Sequence, residues 1–425
     1  MISRLIPIIL IWLLIDFYFF QAVKTVTTSS VVYWVYWLYD GLLLALIIHF
    51  ILSNGHTISS PRGQNWIIGL MLVSLVPKLL VTPLLLLEDL GRLLHYGARA
   101  VAHLLGLSGS RDTAIHFAKR RRFISQIVLG LAAVPFLALI EGMVKGKYDY
   151  KVHRIRLAFD DLPAAFDGFK IIQLSDIHVG SFGSKPDVER GVELANQQKG
   201  DLLLFTGDLV NAKADELDGW KEVFSKLRAP YGQYSILGNH DYGDYVRWET
   251  PKAKADNLQR LKDIEKEMGF SLLLDQNVKI EKDGQRITLI GVQNWSKRGF
   301  HSYGNLHKAT EGINDADFKV LMSHDPTHWE AEVLNHPKHI HLTLSGHTHG
   351  MQFGVEIKGF KWSPIKYMYH QWAGIYKKGN KYINVNRGFG FIGYPGRVGI
   401  LPEITVIELA KANGKTKAGS QESFM

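Results

Sequence analysis

The 425-residue chain contains no cysteine, which excludes disulfides, thiolate metal sites and cysteine nucleophiles. This absence fits either side of a membrane and says nothing about redox compartment. No internal repeat or low-complexity segment stands out. Acidic residues are fewer than basic ones, 40 against 49, giving a formal net charge of +9. Such a balance favours anionic contacts (lipid head groups, phosphorylated molecules or nucleic acid) and chooses among none of them. The length makes two or more structural units the default expectation.

Charge is scarce in the first third. Four apolar stretches there, approximately Leu5 to Val23, Val31 to Leu52, Trp66 to Leu87 and Ile127 to Val144, are long enough for a bilayer core, which needs roughly 20 helical residues. Tyr33, Trp34, Trp37 and Tyr39 resemble an interfacial aromatic belt. Residues 1–147 are therefore expected to form a bundle of about four transmembrane helices with a basic loop over 88–126. Asp16, Asp40, Lys78 and Glu141 fall inside the spans, where charges are costly and face a partner or water. Lys78 paired with Asp16 or Asp40 would mark a transport or sensing path. A helix broken at Pro77, with Lys78 snorkelling to the interface, is the plainer reading and the preferred one.

Basic residues set orientation. Arg92, Arg99, Arg111 and Lys119 to Arg122 lie between spans three and four, which puts that loop in the cytoplasm and the C-terminal part outside the cell (inner) membrane. A second cluster, Lys145, Lys147, Lys151, Arg154 and Arg156, argues the other way. Lys119-Arg120-Arg121-Arg122-Phe123-Ile124 before an apolar run resembles an internal twin-arginine export signal; the alternative is an ordinary positive-inside anchor.

From residue 148 to 410 the texture becomes α/β. Buried strands are expected at Ile171–Leu174, Leu202–Phe205, Tyr234–Leu237, Ile287–Val292, Val320–Met322 and Leu342–Leu344. Helices are expected from Lys185-Pro186 to Asn196 and over about 215–227, 257–268 and 328–334, giving a layered α/β fold. The polar tail, 411–425, is expected to be disordered.

Five of these strands end in metal-capable side chains: Asp176 and His178, Asp208, Asn239 to Asp241, His324 and Asp325, and His347 to His349. Sites in α/β sheets form where strand carboxyl ends converge. Carboxylate, amide and imidazole donors together suit manganese, iron or zinc better than calcium or copper. Singly, each pair is weak, since Asp and His at strand ends more often cap helices or bond loops.

The ordered series DIH, GDLVN, GNHDY, SHDP and GHTHG resembles the calcineurin-like metallophosphoesterase superfamily over about residues 168–408. The entry Leu162-Pro163 to Lys170 and the closing Asn386-Arg387-Gly388 to Glu403-Ile404 look like its membrane-linked bacterial branch. The resemblance implies a β-sandwich of mixed sheets flanked by helices, and two divalent metal ions. It implies that Asp176, His178 and His349 hold the first ion, that Asp208 bridges both, and that Asn239, His324 and His347 hold the second. It also implies His240 over the substrate as acid or electrostatic stabiliser, oriented by Asp241. The reaction implied is hydrolysis of a phosphomonoester or phosphodiester by metal-bound hydroxide. A carboxylate can neutralise and span two cations roughly 3.5–4 Å apart, and a histidine titrating near neutrality can protonate a leaving group.

Met351 follows the last block where relatives often carry glycine, which alters the wall beside the metals. The aromatic and basic stretch Lys358 to Tyr382 forms either a cap that binds a lipid or nucleobase, or packing against the sheet; packing is preferred. Arg387 and Arg397 either approach the phosphate or make salt bridges. His301, His307, His328, His336, His339, His341 and His370 fall outside the signature and are expected to serve surface or hydrogen-bonding roles.

The expected partners are a phosphoester, with a lipid-linked one attractive beside a membrane anchor, and membrane lipid itself. Nucleic acid is disfavoured because no extended basic and aromatic groove is evident. The alternative function is a non-catalytic membrane receptor or scaffold that uses the domain to bind a ligand, but such a protein would be expected to have lost a ligand or His240. The sequence sets no oligomeric state.

Overall fold

The computed structural model describes residues 2–52, 61–106, 113–412 and 422–424. The chain divides near residue 142 into two compact units.

The first unit contains helices α1 (Ile2–Val26), α2 (Ser30–Leu52), α3 (Pro61–Leu104) and α4 (Thr113–Val144). All four are long and apolar enough to cross a membrane, where a helix satisfies its backbone groups internally. Phe19, Phe20 and Val23 of α1 pack with Val81 and Leu85 of α3 and with Val128 and Ala132 of α4. Outward-facing positions include Leu14, Phe17, Trp34, Leu38, Leu87 and Val134, all exposed. So much exposed apolar surface suits lipid as the surrounding solvent.

Three expectations change here. The stretch 88–126 is not a loop: α3 continues to Leu104 and α4 begins at Thr113, while Arg111 lies outside the described residues. Within it, Arg120 reaches Glu88 at 3.4 Å and Arg121 reaches Asp89 at 2.7 Å, so the twin arginines join α4 to α3. Lys78 does not snorkel. It is buried and bonds Asp16 at 2.5 Å and Asp40 at 2.8 Å. Nor does α3 break at Pro77; the helix runs through Pro77 and Pro83, with Thr82 Oγ1 donating to the Lys78 carbonyl one turn back.

The second unit carries two mixed sheets. The order in the first is Glu422–Phe424, Lys151–Phe159, Glu403–Lys411, Lys170–Leu174, Leu202–Phe205, Gln233–Ser235 and Ser271–Leu272. The second runs Gly374–Lys378, Lys381–Val385, Leu342–Ser345, Phe318–Met322, Gln285–Gly291 and Gln276–Lys282. Ile171, Leu202 and Leu204 from the first sheet share a core with Leu289, Val320 and Leu344 from the second. Val188 and Val192 of helix α5 (Lys185–Gln197) cover the other face of the first sheet, against Ile172 and Leu203. Trp329 and Val333 cover the outer face of the second, against Leu321 and Ile383. The layers are helix, sheet, sheet, helix, as the mixed β-sandwich requires.

The expected 215–227 helix is split. A 3-10 turn, Ala214–Leu217, and a short helix, Lys221–Phe224, flank Gly219, whose φ of +84° no right-handed helix accommodates. The helix expected at 257 starts instead at Pro251, because Thr250 accepts a hydrogen bond from Ala253 N and proline suits the first turn. In the tail expected to be disordered, residues 413–421 and 425 lie outside the described ones, and Glu422–Phe424 pairs antiparallel with the Lys151–Phe159 strand.

Candidate metal centre

The parallel strands Lys170–Leu174, Leu202–Phe205 and Gln233–Ser235 release their following loops at one end of the sandwich. The parallel strands Phe318–Met322 and Leu342–Ser345 do the same from the second sheet. A buried polar seam registers the two sheets. Gln173 Nε2 donates to Ser345 O at 2.9 Å, and Asn384 Nδ2 donates to Gln173 Oε1 at 2.8 Å. Beyond the strands, Asp176 N donates to Gly207 O and Gly346 N to His324 O, both at 2.9 Å. Gly346 has no alternative, since a Cβ there would stand 1.9 Å from Ser175 Oγ and 2.2 Å from Asp176 Oδ2.

These loops bring all seven expected ligands into one buried locus. Asp176, His178 and His349 form one group and Asp208, His324 and His347 another, each with its ligand atoms within 4.8 Å of one another. Asn239 Oδ1 lies 2.8 Å from His347 Nδ1. Asp208 stands between the groups: its Oδ2 is 3.1 Å from His324 Nε2 and 3.5 Å from His178 Nε2. Five of the seven, Asp176, His178, Asp208, His347 and His349, have φ between 48° and 71°. Left-handed backbone costs a non-glycine residue about 1–3 kcal/mol and clusters where function demands a side-chain direction.

The nitrogens are poised to accept a cation. His324 Nδ1 is 2.7 Å from Thr206 O, and donation there turns the Nε2 lone pair toward Asp208, where it has no hydrogen-bond partner. Burial opposes charge on His324, yet Asp208 and Asp176 outweigh it and push this histidine up to about 10. The negative surroundings that favour a proton on this nitrogen favour a metal cation equally. Burial likewise opposes charge on Asp208, but His324 and His240 hold it well below the usual carboxylate range. Burial pushes His178 well below its ordinary value, leaving a neutral imidazole whose Nε2 faces His349 Nε2 at 3.0 Å. His347 Nε2 meets Tyr369 Oη at 3.0 Å and Nδ1 meets Asn239 Oδ1 at 2.8 Å; donation from Nε2 leaves the Nδ1 lone pair and that oxygen free to share a cation. This mixture of oxygen and imidazole donors fits manganese, iron or zinc.

His240 stands beside the groups, half-buried, with its backbone N–H donating to Asp208 Oδ1 at 2.8 Å. Its orientation does not come from Asp241, contrary to expectation. The Asn211 carbonyl, 2.7 Å from His240 Nδ1, holds the ring. Asp241 turns inward and accepts the backbone N–H groups of Asp208, Leu209 and Gly238 at 2.8 Å, so it shapes the loop carrying Asp208. Burial and neighbouring Asp208 push Asp241 up to about 7.

Several other expectations resolve on geometry. Arg387 is buried and paired with Glu403 at 2.6 Å and with Glu356. Arg397, also buried, donates to the carbonyls of Arg387, Gly390 and His349. Neither is a free phosphate clamp. The seven spare histidines belong to neither ligand group; His328 bonds Ser323 and Glu332, and His341 bonds Asp161. The 358–382 stretch packs only in part: Ile365, Tyr369 and Trp372 lie against Ile400, while Phe360, Tyr367 and Met368 are exposed. Tyr369 also reaches His347. Sequence reasoning missed Asn211, Tyr245 and Gln173. Tyr245 accepts from Asn239 Nδ2 at 2.8 Å, and its ring is 4.6 Å from His240.

Comparison with known proteins agrees with this geometry. Residues 169–351 match the family described as "Calcineurin-like phosphoesterase", and residues 2–147 the one described as "Probable Calcineurin-like phosphoesterase, transmembrane domain". The "Uncharacterized metallophosphoesterase YkuE" of Bacillus subtilis is 30% identical over 261 residues, 59% of this chain and 82% of its own length. A "Transmembrane protein with metallophosphoesterase domain" of Danio rerio is 28% identical over 319 residues, 73% of this chain and 67% of its own. The "Uncharacterized metallophosphoesterase YkoQ" of Bacillus subtilis is 27% identical over 285 residues, 66% of this chain and 97% of its own. Similarity that runs through both units, and not through the strand-end blocks alone, makes this chain a member of the calcineurin-like metallophosphoesterase family, with a four-helix transmembrane domain ahead of the phosphoesterase domain.

Proposed function

We propose that the protein hydrolyses a phosphomonoester or phosphodiester at a centre of two divalent metal ions, anchored to the membrane by its helices. The observation that carries this reading is the position of Asp208, whose single buried Oδ2 faces nitrogens of both ligand groups. Asp176, His178 and His349 would hold one ion and Asn239, His324 and His347 the other, with Asp208 shared. When bound, such a pair supplies Lewis acidity toward the phosphoryl oxygens and an activated water. His240 donates Nδ1–H to the Asn211 carbonyl, so Nε2 carries a proton in the imidazolium form, and in that form it would hydrogen-bond the phosphoryl group or protonate the departing alcohol. Asp241 fixes the loop that presents Asp208 and touches no substrate.

A lipid-linked substrate is favoured within this reading. Beside the site, Tyr369 contacts His347, Arg298 lies over the Tyr369 ring at 4.7 Å, and Phe300 meets the His347 ring at 5.0 Å. Tyr367 and Met368 next to Tyr369, and Met351 next to the last ligand block, are all exposed. Exposed apolar side chains on the segments that carry Tyr369 and the last ligand block suit a leaving group with an acyl chain. The basic residues between the third and fourth spans support a phosphoesterase domain outside the cytoplasm.

The test uses full-length protein in detergent, stripped of metal and then supplied with manganese, iron or zinc. Hydrolysis of para-nitrophenyl phosphate, its bis ester and matched phosphoesters with and without acyl chains is followed. Metal-dependent turnover supports the reading, and a higher kcat/KM for acylated esters supports the substrate class. Folded protein that binds no metal rejects both. Protease accessibility of the C-terminal unit in intact spheroplasts tests sidedness.

A further inference from the structure

The four-helix unit has a polar interior that the phosphoesterase chemistry does not use. Asp16 of α1, Asp40 of α2, and Ser74 and Lys78 of α3 are all buried, each within a stretch able to cross a membrane. Lys78 Nζ donates to Asp16 Oδ1 at 2.5 Å, to both oxygens of Asp40 at 2.8 Å and to Ser74 Oγ at 3.1 Å. Ser74 Oγ donates in turn to Asp40 Oδ1 at 3.0 Å. The Tyr36 ring lies 4.9 Å from the ammonium, and its hydroxyl donates to the Asp16 carbonyl at 3.0 Å. Tyr39 of α2 and Trp12 of α1 also act on the carboxylates. Among the described residues, no side chain of α4 hydrogen-bonds to the cluster.

The charges do not cancel. Two carboxylates face one ammonium, leaving one negative charge in a region that penalises unpaired charge. The hydrogen bonds are uneven in the same sense. Asp16 is 1% exposed, and its Oδ2, like Trp12 Nε1 one turn earlier, makes no hydrogen bond of ordinary geometry. The other three carboxylate oxygens are all engaged.

We propose that this cluster is a proton-binding site within the membrane domain, taking up one proton from water onto Asp16 Oδ2. A proton needs a single free oxygen, whereas a hard metal cation takes several oxygen ligands. Protonation makes the cluster neutral while preserving every bond that Lys78 makes. Loss of the proton restores the uncompensated charge, so the packing of α1, α2 and α3 is coupled to protonation. This site is independent of the phosphoester reading.

The test is infrared difference spectroscopy of the full-length protein in lipid nanodiscs at neutral pH, in H2O and D2O. Buried carboxyls elsewhere in the chain contribute to the same spectral region, so each spectrum is read as wild type minus variant. Asp16→Asn and Asp40→Asn each leave one carboxylate against Lys78, and each removes the deuterium-sensitive band of the cluster. Lys78→Gln leaves two carboxylates with no cation, so the band grows about twofold; this variant keeps the test decisive if an aspartate variant fails to fold. A purely structural ion pair gives a wild type without the band, or a band unchanged in both aspartate variants, and either result overturns the proposal. A band lost when sodium replaces potassium would also overturn it, in favour of a metal-cation site.

Discussion

The carboxylate of Asp208 stands 3.1 Å from Nε2 of His324, a nitrogen that has no hydrogen-bond partner although it is completely buried. The other ring nitrogen is committed to the Thr206 carbonyl, so the Nε2 lone pair and the Asp208 carboxylate face a common point that favours a cation. Asp208→Asn keeps the shape and removes the negative charge. The expected outcome is loss of at least one metal ion per chain, read by mass spectrometry of the dialysed protein. Phosphoesterase turnover should fall by on the order of 10^3-fold. A variant that keeps its metal and its rate would mean that Asp208 bridges nothing.

His240 gives the complementary result. It touches Asp208 only through its backbone N–H, so His240→Ala should leave metal content unchanged while kcat falls by roughly 10^2–10^4-fold. The drop should be smaller for esters with good leaving groups, because those need less protonation. Equal loss on good and poor leaving groups would reduce His240 to a binding contact.

The strand-end ligands were legible because each follows a short apolar run and because the chemistry resides in the side chain itself. What orients those ligands was not. The family resemblance implied that Asp241 orients His240, yet its carboxylate turns inward to four backbone N–H groups. The group that does hold His240 is the carbonyl of Asn211, and a backbone oxygen leaves no trace in residue identity. The Lys78 cluster failed for a different reason. Lys78 lies 62 residues from Asp16 and 38 from Asp40, so only helix packing decides whether the charges meet. Similarly, Gly219 splits a segment whose apolar spacing reads as one helix, because a single left-handed residue overrides periodicity.

Tyr369 lies in a stretch expected mainly to pack, but its hydroxyl fixes His347 at 3.0 Å. Removing such an outer hydrogen bond to a metal ligand weakens metal affinity by about 10–100-fold. Tyr369→Phe should therefore raise the metal concentration needed for half-maximal activity by that factor, with the rate recovered at saturating metal. A lowered plateau with unchanged metal dependence would assign Tyr369 to substrate instead.

Glu265 allows a test of stability that requires no metal. It is fully buried, takes a hydrogen bond from Ser235 Oγ, and leaves Oε1 without a partner. Burial, reinforced by Asp241, pushes its carboxyl up from 4.5 to about 8. Below about pH 4.5 the folded and unfolded chains both hold the proton; between there and about pH 8 only the folded chain does. Stability contributed by this proton is therefore present at low pH and lost as pH rises through that window, at up to about 1.4 kcal/mol per pH unit. In Glu265→Gln the amide is neutral throughout, so the variant should gain on the wild type as pH rises from 5 to 8. Urea midpoints of the two proteins, measured at several pH values in the same detergent, provide the comparison. Parallel curves would mean that Glu265 is not protonated in the folded chain.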